Sequence, residues 1–112
     1  GTGLGHAPIN AIDDWTKQHS LLLSLLKKMA EKMVVMMCTQ CQYGRVDMHV
    51  YSTGRYLLQA GILNGEDMTP ETAYLKLGWL LGNYPKKEAK ELMCRNLVGE
   101  LAQRTNIDTF LK

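Results

Sequence analysis

Apolar positions along this chain change their spacing several times, and each change marks an element. From Asp13 to Lys32 they recur every three or four residues, at Trp15, Leu22, Leu25, Leu26, Met29 and Met33, with Lys17, Gln18, Lys27, Lys28 and Glu31 between them. That spacing predicts an amphipathic helix. Asp13 or Asp14 is placed to cap its start, and Lys27, Lys28 and Lys32 suit the negative end of its dipole. The run Met33-Val34-Val35-Met36-Met37 then becomes continuously apolar and ends in the polar turn that opens at Cys38. Such a run reads as a buried strand of a parallel sheet. Helical spacing returns from Tyr51 to Ala60, with Ser52 or Thr53 as the candidate cap and Gly61 as the C-terminal stop. Gly54 would let the first turn of that helix approach another backbone closely.

Two further helices follow. Asn64-Gly65 is a turn signal. Thr69-Pro70-Glu71-Thr72 is a helix start, with Thr69 as N-cap and Pro70 in the first turn. Ala73, Leu77, Leu80 and Leu81 form the inner face of this helix, and Gly82-Asn83-Tyr84-Pro85 ends it. A last helix spans about Lys86 to Leu97, with Leu92, Met93 and Leu97 inward. The tail from Gly99 to Lys112 is polar, with isolated Ile107, Phe110 and Leu111. The order is loop, helix, strand, helix, helix, helix. It predicts an α/β domain, a small parallel sheet with packed helices. The stretch from Cys38 to Gly61, a strand end, a polar loop and a helix, is where such sheets place ligand sites.

Composition narrows the picture. A length of 112 residues suits one domain, with 46% hydrophobic and 21% charged residues. The net charge of +2 is too small to argue for nucleic-acid binding, and the basic residues are scattered. No apolar run approaches the roughly 20 residues of a membrane span, so no membrane partner is expected. Three cysteines, Cys38, Cys41 and Cys94, are an odd number, which favours a reducing, cytoplasmic setting over a disulfide framework. Cys38-x-x-Cys41 resembles half a zinc or redox site, but nothing in the sequence completes it, and no metal site is assigned. Both read as small thiols at a strand end. The seven methionines read as core filler. The opening Gly1-Thr2-Gly3-Leu4-Gly5 has the flexibility of a turn after a strand, so the chain reads as a piece of a longer protein, beginning just past that strand.

Several of these motifs carry a resemblance. Thr39-Gln40-Cys41, Gly44-Arg45-Val46-Asp47-Met48, Tyr51-Ser52-Thr53-Gly54 and Ala60-Gly61-Ile62, taken in order, resemble the C-terminal domain of cytosolic-type L-asparaginases. Within that superfamily the chain is most similar to the D subunit of the archaeal glutamyl-tRNA(Gln) amidotransferases. Gly1 to His6, Gly65 to Glu71 and Asn96 to Glu100 fit the same branch. The resemblance implies a small α/β domain, of which this chain carries part of the sheet. It implies amide hydrolysis through an acyl-enzyme, by two threonines and an Asp-Lys pair in a preceding domain. None of those motifs occurs here, so no catalytic residue is assigned and the chain alone is expected to be inactive.

The resemblance further implies a homodimer in which the loop corresponding to Gly1, Thr2, Gly3, Leu4, Gly5 and His6 closes a neighbouring active site. Many asparaginases present an Asn at the position of Leu4. Cys41 matches a cysteine that lies near an allosteric asparagine pocket in cytosolic-type asparaginases, which makes Gln40, Cys41 and Arg45 candidates for a pocket or allosteric site. The residues themselves leave alternatives open: the glycines can be a tight turn, and Arg45 can bind a carboxylate or phosphate or pair with Asp47 or Glu66. Where the family has a glycine between the first helix and the strand, this chain has Met33. His6, His19 and His49 share no spacing. An amidotransferase would imply an E subunit that uses ATP and magnesium, indirect contact with charged tRNA, and glutamine or asparagine as amide donor. The other readings are a free-standing L-asparaginase and a non-catalytic dimerisation module.

Overall fold

A computed structural model describes residues 3–104 and Asp108. Gly1 and Thr2 of the opening loop, and Ile107, Phe110 and Leu111 of the tail, lie outside the described residues. Among the described residues the order is α1 (His19–Lys32), β1 (Met36–Met37), α2 (Ser52–Gln59), β2 (Leu63–Asn64), α3 (Pro70–Asn83) and α4 (Lys86–Met93). The strands are parallel, with Met36 opposite Leu63 and Met37 opposite Asn64. Sequence periodicity does not reveal β2. Two ladder residues are too few for a pattern, and Asn64-Gly65 reads as a turn because the strand ends there. The Leu63 amide donates to the Val35 carbonyl at 2.9 Å, and the Gly65 amide to that of Met37 at 2.9 Å.

The sheet is covered on both faces, which explains the unbroken apolar run through β1. Val34, Met36 and Cys38 pack against one core, formed by Met68, Ala73, Leu80, Ala89, Met93 and Leu101. Val35 and Met37 pack against the other, formed by Ile9, Val46, Met48, Leu57 and Ile62. Alternate residues of a strand point to opposite faces. So α3 and α4 lie on one side, and α1 and α2 on the other.

Helix α1 is shorter than its apolar spacing predicts. The hydroxyl of Thr16 accepts from the Ile12 and Asp13 amides at 2.8 and 2.9 Å, and the Thr16 amide donates to Asp13 Oδ1 at 2.9 Å. These local bonds hold 12–16 in a turn, so the helix starts at His19 without a side-chain cap and Trp15 is 93% exposed. Leu22 and Leu26 face the core as expected, joined by Leu23 and Ala30, whereas Leu25, Met29 and Met33 are exposed. The helix then stops without a left-handed residue. Met33 is extended (φ −139°) and its amide closes on Met29 O at 2.8 Å. The helix therefore ends here without a glycine.

In α2 the N-cap is Tyr51 rather than Ser52 or Thr53, and the Thr53 hydroxyl instead accepts from Asn10 Nδ2 at 3.1 Å. A Cβ on Gly54 would stand 2.7 Å from Met48 Cα, so the expected close approach is present. Gly61 ends the helix at φ +91°. Thr69 caps α3 by accepting from the Thr72 amide, with Pro70 in the first turn. Ala73 and Leu80 are buried and Leu77 packs beside them, but Leu81 is exposed. Helix α4 ends at Met93, four residues early, which leaves Leu97 exposed and makes Ala89 and Met93 its core face. The tail is not wholly polar in its placement: Leu101 returns to the core.

Candidate functional site

The elements converge at the carboxyl ends of β1 and β2. Gly5, at φ +81°, lies so tightly against Val46 that a Cβ would overlap its side chain and approach Met37 and Met48 at 3.3 Å. Positive φ and lack of space together leave room only for glycine. At Gly3 a Cβ would meet Cys41 Sγ at 3.1 Å. The Asp47 amide donates to the Leu4 carbonyl at 3.3 Å. So Gly3, Leu4 and Gly5 rest on the loop that leaves β1, next to Cys41 and one residue from Arg45. Leu4 stands 45% exposed at the crest of this turn, with no polar atom in its side chain. His6 packs its ring on Tyr51, with centroids 5.2 Å apart and planes tilted by 56°.

Cys41 and Gln40 are exposed and border a cleft of about 440 Å³ with Thr39, Gln42, Thr69 and Glu71. Buried Thr39 turns its hydroxyl back to accept the Cys41 amide at 3.0 Å. That is a turn contact, not a nucleophile's setting. Cys38 is half-buried against the other core, and burial pushes its thiol above the usual range. His49 donates its amide to Asp47 Oδ1 at 3.2 Å, so this pair is joined through the backbone.

Arg45 is committed to the protein. Its Nη1 donates to the Gln103 carbonyl at 2.8 Å and its Nη2 to the Ala102 carbonyl. The Glu66 carboxylate lies 3.8 Å from Nε, the blander pairing that the sequence allowed. Burial pushes the Glu66 carboxyl up, and Arg45 draws it partly back. Glu66 occupies a left-handed conformation (φ +52°), supported by a bond from its amide to Asn64 Oδ1 at 3.2 Å.

The strongest electrostatic feature escaped sequence reasoning. Lys76 lies on the buried face of α3, and its Nζ is 2.6 Å from Glu100 Oε1, with both side chains nearly excluded from solvent (6% and 10% exposed). Lys76 also donates to the Met93 and Arg95 carbonyls at 3.0 and 2.5 Å. Glu100 accepts from the Val98 and Leu97 amides at 2.8 and 3.1 Å. Burial pushes its carboxyl up, but Lys76 and these amides outweigh that and hold it at about 2. The available signal was positional: Lys76 falls three residues after Ala73 and four before Leu80, within the apolar stripe. Among the described residues no group of three His, Cys, Asp or Glu side chains could hold a metal ion, and no helix is long and apolar enough to cross a membrane.

Comparison with known proteins gives this geometry a lineage. Residues 1–93 match the glutaminase/asparaginase C-terminal domain. The D subunit of the glutamyl-tRNA(Gln) amidotransferase of Methanobrevibacter smithii is 46% identical over 99% of this chain, and that of Thermococcus kodakarensis 44% identical over 100%. The chain spans only 23% of the length of each. Among solved structures, the L-asparaginase of Thermococcus kodakarensis superposes with a TM-score of 0.77 at 34% identity, covering 93% of this chain and 30% of that one. L-asparaginase I of Vibrio cholerae superposes at 0.74 with 40% identity, covering 90% and 28%. The two-faced α/β domain described above therefore belongs to the glutaminase/asparaginase C-terminal domain family.

Proposed function

We propose that this chain is the C-terminal domain of the ammonia-releasing subunit of a glutamyl-tRNA(Gln) amidotransferase. The observation that carries the reading is the match to the D subunit of such an enzyme, 46% identical across nearly the whole chain. The residues that attack the amide then belong to the rest of the parent protein, and glutamine or asparagine is the amide donor. The turn of Gly3 to His6, in the segment that begins at Gly1, closes a neighbouring active site in a homodimer. Its crest residue Leu4 shapes that pocket by packing, since it has no group to hydrogen-bond a substrate. The cleft of Gln40 and Cys41 is the secondary pocket. The E subunit supplies ATP- and magnesium-dependent chemistry and most of the contact with charged tRNA, in the cytoplasm.

A second reading, a free-standing L-asparaginase, is favoured by the superposition on the two L-asparaginases. Ammonia release by the full-length protein separates the two. The amidotransferase reading expects release to rise at least tenfold when the E subunit, ATP, magnesium and Glu-tRNA(Gln) are added. Equal release from free asparagine with and without them refutes it and establishes the second.

A further inference from the structure

The opening turn is tethered, through one side chain, to a segment nearly a hundred residues away. Residues 100–103 form a strap across the domain. It is pinned at one end by the Glu100–Lys76 pair (2.6 Å) and in its middle by the Ala102 amide, which donates to Asp67 Oδ1 at 2.8 Å. Its other end offers two consecutive carbonyls, of Ala102 and Gln103, and both accept from the Arg45 guanidinium. The residues immediately after Arg45 are those the turn rests on. Val46 fills the space in front of Gly5, and the Asp47 amide donates to Leu4. Val46 is held from behind as well, its amide donating to the Glu66 carbonyl at 2.7 Å.

We infer that Arg45 is a positioning residue: by gripping the strap at Ala102 and Gln103, it sets the height of the Gly3–His6 turn and hence the affinity of the site that turn closes. Three features support this over an ordinary surface ion pair. The planar fork presents its two terminal nitrogens at a fixed spacing to two adjacent carbonyls, a geometry that the single nitrogen of a lysine does not reproduce. Its Nε is buried without a hydrogen-bond partner, so the guanidinium is placed for the carbonyls and not for Glu66, whose carboxylate stands off at 3.8 Å. The linkage to Leu4 and Gly5 runs through the very next two residues, so displacement has little slack to absorb it. The role rests on the proposed closing function of the turn. The mechanical linkage does not, and it can be measured separately.

The test uses the full-length protein and its Arg45→Ala and Arg45→Lys variants. Hydrogen exchange should quicken at least tenfold in peptides covering Val46–Asp47 and Leu101–Gln103, with α2 and α3 unchanged. Kinetics should show KM for the amide donor raised about tenfold in Arg45→Ala, with kcat within twofold. Arg45→Lys keeps the charge but not the fork, and should leave KM raised at least threefold. Exchange that is unchanged at Asp47, or that quickens throughout the domain, overturns the inference. So does full recovery of KM by lysine, which would make the Glu66 ion pair the active contact. If the full-length protein hydrolyses neither glutamine nor asparagine, the proposed function falls, and exchange at Asp47 alone decides whether Arg45 carries the linkage.

Discussion

Replacing Glu100 by Gln tests the electrostatics of the domain directly. The substitution keeps size and shape but removes the negative partner of Lys76, whose side chain is 6% exposed. Lys76 retains the carbonyls of Met93 and Arg95, so its charge is solvated by dipoles but no longer neutralised. Removing one partner of a buried pair costs about 3–5 kcal/mol, and the two retained carbonyls place this case near the lower end, at about 3 kcal/mol. The exposed amides of Leu97 and Val98 can turn to water, so their loss adds little. A Lys76→Met, Glu100→Met double variant should recover most of the loss, because it leaves no buried charge. The pH dependence has a definite sign. The Glu100 carboxyl ionises at about 2 when folded, against an ordinary value of 4.5. Its stabilising contribution is therefore complete above about 4.5 and disappears as pH falls from there towards 2. Urea unfolding at pH 7 and at pH 3, on wild type and both variants, reads these effects. The gap between wild type and Glu100→Gln should narrow at the lower pH. A loss below 1 kcal/mol at pH 7, or a gap that stays constant with pH, would refute the account.

Other substitutions probe the remaining contacts. Gly54→Ala gains about 1 kcal/mol of helix propensity but forces a methyl into the Met48 backbone, an overpacking cost of about 3 kcal/mol; a net loss of about 2 kcal/mol in urea unfolding is expected, and stabilisation would contradict it. Thr69→Ala removes the α3 cap and should cost about 1 kcal/mol by the same measurement. With iodoacetamide at pH 7.5, exposed Cys41 should react before half-buried Cys38, whose thiol burial pushes up; mass spectrometry of the peptides gives the order. In the full-length protein, Leu4→Asn adds a hydrogen-bonding group to the crest of the turn. If that group reaches a charged part of the substrate it is worth about 1.5–3 kcal/mol, roughly a tenfold to hundredfold gain with free amino acid. An unchanged rate would mean that the turn does not reach the substrate.

Local chemistry made much of this protein legible before any coordinates. Pro70 after Thr69 could only start a helix, Gly61 only end one, and an apolar run as continuous as Val34 to Met37 needed cover on both faces. These are near-neighbour effects, written in residues a few positions apart. Ordered motifs such as Thr39-Gln40-Cys41 and Gly44 to Met48 carried the family as well. What periodicity overstated was burial. Trp15, Leu25 and Leu81 sit at correct helical spacings yet are exposed, because a turn at Asp13–Thr16 or, among the described residues, the absence of a facing element decides what is covered. What only the tertiary structure decided is long-range pairing. Leu63–Asn64 becomes a strand because Val35 and Met37 offer it carbonyls. Lys76 becomes a buried cation because Glu100 returns from the tail, and Arg45 becomes a strap anchor because Ala102 and Gln103 pass over it. Each partner lies more than twenty residues away, and a hydrogen bond or ion pair formed across that distance leaves no periodic trace in the chain.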